Sequence, residues 1–195
     1  ALYIESGAGK LSARVISDGA TRYAVEDSAS FVDGANSWKH VVFTTTYVDS
    51  SNWIMKLYVD GVERTLDSSN NGIETSGNLG LYDSDSDVFI GTNPHSGGFQ
   101  WDFAGKIRNV RFNDNVLSND QVASLYSNTY PVTPDHLYKL DVVGQTTVSD
   151  EGTGTASNAS MHGNSTGFHV SDNTHTLNLD GTLTISEFGT LSAPR

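Results

Sequence analysis

The sequence predicts an all-β protein, a sandwich or barrel of short antiparallel strands with one short helix. Three observations predict it. Dipeptides that tolerate positive φ stand at Asp18-Gly19, Asp33-Gly34, Asp60-Gly61, Asn71-Gly72 and Asp180-Gly181, between short apolar runs. The runs themselves are rich in β-branched and aromatic residues, at the spacing of sandwich or barrel strands. Only one stretch, from Leu117 to Asn128, carries helix signals.

The clearest strand is "SNWIMKLYVDGVERTL". Trp53, Met55, Leu57 and Val59 share one parity, and Ile54, Lys56 and Tyr58 share the other. Asp60-Gly61 then turns the chain, and Val62 to Leu66 returns as the second arm of a hairpin. The preceding "WKHVVFTTTYV" alternates less cleanly, as a strand covered on both faces does. In "WDFAGKIRNVRFND", Ile107 and Val110 are three apart but Val110 and Phe112 two apart. Keeping all three on a core face requires an extra residue, so a bulge is expected near Arg108–Asn109.

The helix is expected near residues 118–127. Ser118 is a good N-cap, Gln121 completes a capping box, and Leu117 and Val122 are placed for a hydrophobic staple. Val122, Leu125 and Tyr126 form an apolar stripe for a sheet to receive. Pro131 and Pro134 then stop the helix and stiffen a connector.

Taken together, "SWKHVVFTT", "LYVDGV" and "VFIGTNPHSGGFQWDFAGKIRNVRFNDNVLSNDQVASLY" resemble the laminin G-like group of the concanavalin A-like lectin/glucanase superfamily. The matching elements are Trp38 to His40, Leu57 to Gly61, Ile90-Gly91, Phe103 to Arg111 and Leu117 to Tyr126, within residues 36–128. The resemblance implies an antiparallel two-sheet β-sandwich of the jelly-roll type. It also implies a departure. The strands with which such domains usually begin do not precede Trp38. Their counterparts follow the helix, as "HLYKLDVVG", "DEGTGTASNASMHG" and "LNLDGTLTIS". The expected organisation is one domain over residues 1–195: a main body to residue 130, a Pro connector at 131–134, and strands from 135 onward. Those last strands close the same sandwich or a neighbour's, or belong to a tandem array cut mid-repeat.

Composition narrows the function. The 195 residues include no cysteine, which excludes disulfides, thiolate catalysis and Cys-ligated zinc. A net charge of −12 repels nucleic acid and anionic membranes. No stretch has the apolar length of a membrane span, and no basic-then-apolar signal segment opens the chain. Ala1 as first residue implies that an initiator methionine or leader has been removed. Between Phe112 and Pro194 the only Lys or Arg is Lys139, so this part of the surface suits a salty or calcium-containing medium.

Catalytic patterns are missing. Glucanases of the superfamily carry a Glu-x-Asp-x-x-Glu strand, and Glu5, Glu26, Glu63, Glu74, Glu151 and Glu187 nowhere have that spacing. Gly-x-Ser-x-Gly and His-Glu-x-x-His are absent too. His162, His169 and His175 are too loosely spaced to favour zinc over a surface role. Asn158 and Asn164 open glycosylation sequons, expected by chance in so Asn/Ser-rich a stretch.

Two stretches are candidates for binding. In "LYDSDSDVFIG", Asp83, Asp85 and Asp87 alternate with serines. An extended segment puts their carboxylates on one side, where calcium would relieve the repulsion; the alternative is a solvated loop. In "GTNPHSGGFQW", Asn93, His95, Phe99, Gln100 and Trp101 offer the aromatic platform and amide partners of a sugar site, unless Trp101 anchors the core. The resulting expectation is a non-catalytic module outside a cell, on its surface or on a virion. It would bind a glycan or a surface protein through rim loops, with calcium as its cofactor. The alternative is a structural subunit, such as a virion decoration, fibre or surface-layer protein, that self-assembles through its C-terminal strands.

Overall fold

Alternating apolar residues in the first third of the chain build two sheets in the computed structural model. It describes residues 2–4, 9–17, 21–30, 38–49, 52–67, 72–73, 88–95, 98–100, 103, 105–129, 133–140 and 147–160. In chain order the first strands are β1 (Leu2–Ile4), β2 (Lys10–Ser17), β3 (Thr21–Ser30) and β4 (Val41–Asp49). They are followed by β5 (Asn52–Val59), β6 (Val62–Glu63) and β7 (Gly72–Ile73). One sheet runs β1-β2-β3-β7 and the other β4-β5-β6, each pairing antiparallel.

The core lies between these sheets. Leu11, Ala13 and Val25 come from the first sheet and Met55 and Leu57 from the second, with Ile4, Val15, Val41, Phe43, Val59 and Leu66 packed around them. The period of two explains the selection: Leu11, Ala13 and Val15 share a parity, as do Met55, Leu57 and Val59. Each fully buried aliphatic side chain contributes about 1.5–3 kcal/mol. The other face of the second sheet is covered as well. Tyr58, on the opposite parity of β5, is buried with Leu117 and Val122, and Val42 and Leu125 pack against them. Two-sided cover is what the imperfect alternation of Val41–Phe43 implied.

The β5–β6 hairpin turns at Asp60 (φ 51°) and Gly61 (φ 81°), the double positive φ of a two-residue type I′ turn. The helix α1 spans Asn119–Tyr126. Ser118 Oγ accepts from Gln121 N, and Ser118 N donates to Gln121 Oε1 at 2.8 Å, closing the capping box. Leu117 and Val122 are buried together, as a staple requires. Tyr126 departs from the expected stripe and is half-exposed. Its Cβ instead backs onto the turn, where a Cβ added at Gly61 would lie 3.0 Å away.

A buried ion pair ties the sheets. The Asp27 side chain, 1% exposed, accepts from Arg64 Nε at 2.6 Å and from Ala29 N at 3.0 Å. On either side, Ser28 N donates to Thr65 O and Asp67 N to Glu26 O. Lys10 Nζ lies 2.8 Å from both Glu26 and Asp67. The chain leaving β6 is thereby stitched along β3.

Beyond the core follow β8 (Asn93–His95), β9 (Gly98–Gln100), β10 (Val110–Phe112), β11 (His136–Tyr138), β12 (Thr147–Val148) and β13 (Ala159–Ser160). The bulge expected near Arg108–Asn109 is not formed: residues 106–109 lie before β10, whose pairing is regular, Asn109 is left-handed (φ 53°), and Phe112 is exposed rather than in the core. β11 pairs antiparallel with β10, with Val110 opposite Tyr138 and Phe112 opposite His136. The residues after β12 wrap this strand. Asp150 Oδ1 accepts from Leu137 N and Gly152 N, both at 3.0 Å, while Oδ2 accepts from Ser157 N at 3.1 Å and meets His136 Nδ1 at 2.6 Å. Glu151 N donates to Leu137 O and Gly154 N to Asp135 O. A Cβ on Gly152 would collide with the Asp135 carbonyl, so this position admits only glycine.

Two outcomes test these contacts. Asp27→Ala leaves Arg64 without its partner and should cost about 3 kcal/mol in denaturant unfolding, toward the low end for a buried pair because Arg64 keeps some solvent. The second concerns pH. Hydrogen bonding to Asp150 raises the His136 pKa above its ordinary 6.5, and hydrogen bonding from His136 and the backbone lowers that of Asp150 below its ordinary 3.8. The His136 contribution is complete below 6.5 and fades as pH rises through the raised value. The Asp150 contribution is complete above 3.8 and fades as pH falls through the lowered one. An NMR titration should place the His136 midpoint above 6.5 in the native chain and return it toward 6.5 in Asp150→Asn.

Candidate functional site

The hairpin that carries four of the expected binding residues starts from Ile90-Gly91. Gly91 has φ +82°, the left-handed region that favours glycine, and its carbonyl accepts from Phe103 N at 2.8 Å. That bond closes the base of the β8–β9 hairpin. A Cβ on Gly91 would sit 3.6 Å from Ile107 Cδ1, so the segment leading to β10 packs against the same turn.

The hairpin brings four of the expected binding residues into register. Asn93 lies opposite Gln100, Pro94 opposite Phe99 and His95 opposite Gly98. Two amide-bearing residues therefore occupy paired positions, on the same parity as His95, and the Pro–Phe pair takes the opposite parity. Trp101, and the proposed calcium ligands Asp83, Asp85 and Asp87, lie outside the described residues. Among the described residues, no three of His, Asp and Glu come together where they could hold a metal ion.

Next to Ile107, Arg108 places its guanidinium carbon 4.3 Å from the centre of the Trp38 ring. Trp38 is 48% exposed, and Phe103 is also exposed. The residues after Trp38 are fastened to the β5–β6 turn: Lys39 Nζ lies 3.2 Å from Asp60, His40 N donates to Asp60 Oδ1, and Asp60 N donates to His40 O. His40 stands 6.0 Å from Tyr126, ring centre to ring centre. Burial, with the Arg111 cation adding to it, lowers the His40 pKa below 6.5 despite Asp60, leaving a neutral imidazole at pH 7.

Sequence reasoning used Trp38 only as part of a motif and left Arg108 unassigned as a binding residue. The available signal was position. Trp38 precedes β4 and so escapes the alternation that sends Val41 and Phe43 inward.

A laminin G family model described as the concanavalin A-like lectin/glucanases superfamily matches residues 1–123. It takes in β1–β3, which lie before the quoted motifs, and ends within α1. No curated protein and no solved structure matches the chain. A match over more than half the sequence, on two packed antiparallel sheets with one short helix among the described residues, places this chain in the concanavalin A-like lectin/glucanase superfamily as a laminin G-like domain.

Proposed function

We propose that this chain is a non-catalytic recognition module that holds a glycan or a surface protein, and that the β8–β9 hairpin with its flanking loops is the contact surface. One observation carries the reading: the register that pairs Asn93 with Gln100 and His95 with Gly98, positions of one parity and so of one hairpin face, with the Pro94–Phe99 pair on the other parity. The amides on one face supply paired donors and acceptors, the aromatic position of the other parity supplies a plane on which a sugar ring or an apolar side chain rests, and loops on a rigid sandwich are where such groups serve binding. The absence of the Glu-x-Asp-x-x-Glu strand from the sequence supports a module without glucanase chemistry. In this reading Asp83, Asp85 and Asp87 hold calcium, and the domain works outside a cell or on a particle. No described helix is long and apolar enough to cross a membrane.

A second reading draws on β11. Its pairing with β10 is only three residues long, and it follows the Pro131–Pro134 connector. A short strand on a stiff connector can complete the sheet of a neighbouring copy as readily as its own, which suits a fibre, surface-layer or virion subunit.

A glycan array followed by calorimetry tests the first reading. Trp101→Ala should weaken the best ligand about tenfold, the cost of one lost aromatic contact, and chelation of calcium should weaken it further. Unchanged affinity in Trp101→Ala defeats the assignment to this hairpin. Deleting residues 131–195 tests the second reading by light scattering. A salt-stable oligomer that falls to folded monomers supports assembly, whereas an unfolded monomer shows that the strand serves its own sandwich.

A further inference from the structure

Cations are scarce here, with 11 Lys and Arg against 23 Asp and Glu. Many of the described ones are neutralised in place: Lys10 by Glu26 and Asp67, Lys39 by Asp60, Lys56 by Glu63, Arg64 by Asp27 and Lys139 by Glu151. Lys106 and Arg108 differ. Both are exposed on the segment entering β10, and among the described residues neither pairs with a carboxylate. Arg108 instead lies over the indole of Trp38, at 4.3 Å from the ring centre.

That contact fixes a charge without cancelling it. An indole attracts a guanidinium through its ring quadrupole and leaves the N–H fork able to donate. The fork matches a carboxylate in bidentate geometry. Lys106, two residues earlier on the same exposed segment, is a second cation with no carboxylate partner among the described residues. On a chain of net charge −12, such unpaired cations are where an anion would be drawn. Trp38 keeps 48% of its surface in water, and indole surface not covered by the guanidinium suits the C–H face of a sugar ring.

We propose that Trp38, Lys106 and Arg108 form a subsite for an acidic sugar, a uronate whose carboxylate meets Arg108 while its ring rests on Trp38. The proposal rests on the glycan-binding reading above and gives it a ligand class, an anionic rather than a neutral glycan.

Calorimetry on the full chain with tetragalacturonate and with a neutral galactotetraose tests this, with the melting temperature as a control for folding. Tetragalacturonate should bind at least tenfold more tightly and weaken with added salt. Arg108→Gln should erase that preference, a loss on the order of tenfold for a charge-assisted hydrogen bond, without shifting the melting temperature. Lys106→Gln should reduce it by less. Equal affinity for the two sugars, no affinity for either, or an unchanged preference in Arg108→Gln overturns the proposal. So does self-association that Arg108→Gln abolishes, which would assign the cations to a second copy. The two readings separate in Trp101→Ala. A uronate preference that survives there but not in Arg108→Gln upholds the acidic subsite and defeats the hairpin. Neutral sugar bound through Trp101 without charge preference does the reverse.

Discussion

The salt bridge between Asp27 and Arg64 is the interaction on which the sandwich depends. A carboxylate with 1% of its surface exposed is tolerable only with a cation and hydrogen-bond donors on it, and Arg64 and the Ala29 amide supply both. Arg64 belongs to the chain leaving the second sheet, and Asp27 to the central strand of the first. Satisfying the carboxylate therefore fixes where one sheet lies on the other. The flanking backbone bonds from Ser28 to Thr65 and from Asp67 to Glu26 extend the same seam. Leu11, Val25, Met55 and Leu57 supply the driving force for closure. The ion pair supplies the register at which it happens.

The position of the candidate site follows from a second set of local constraints. Asp60 and Gly61 adopt positive φ because a tight hairpin in a right-twisted sheet requires it. The Asp60 carboxylate then holds Lys39 and His40, and Trp38 stands one residue earlier, outside the alternation and toward water. On the opposite side, Gly91 fixes Phe103 and Ile107, and through them the segment that carries Arg108. Two unrelated turns thus bring an indole and a guanidinium together from positions 70 residues apart, 38 and 108.

The legibility of these features in the sequence follows the range of the interactions behind them. The Asp60-Gly61 hairpin and the Ser118–Gln121 capping box are local, so the residues that make them are also the residues that announce them. The helix stripe was legible in part. Val122 and Leu125 pack as the spacing implied, but Tyr126 turns to cover a glycine that no helical pattern can foresee. β1–β3 carry no recognisable motif, yet they make most of the first sheet and lie within the family match, because alternation such as Leu11, Ala13, Val15 suffices for a strand. The grip of Asp150 on Leu137, Gly152 and Ser157 was hidden for the opposite reason. Its partners are backbone amides, which look alike in every sequence.

That grip has a kinetic meaning. With the two backbones in contact at Gly152 and Asp135, no side chain stands between them to move aside and admit solvent. The amides of Leu137, Gly152 and Ser157 all end on one carboxylate, so releasing any of them strains the rest. Residues 135–137 and 150–157 should accordingly exchange their amide hydrogens as one cooperative unit, opening together or not at all.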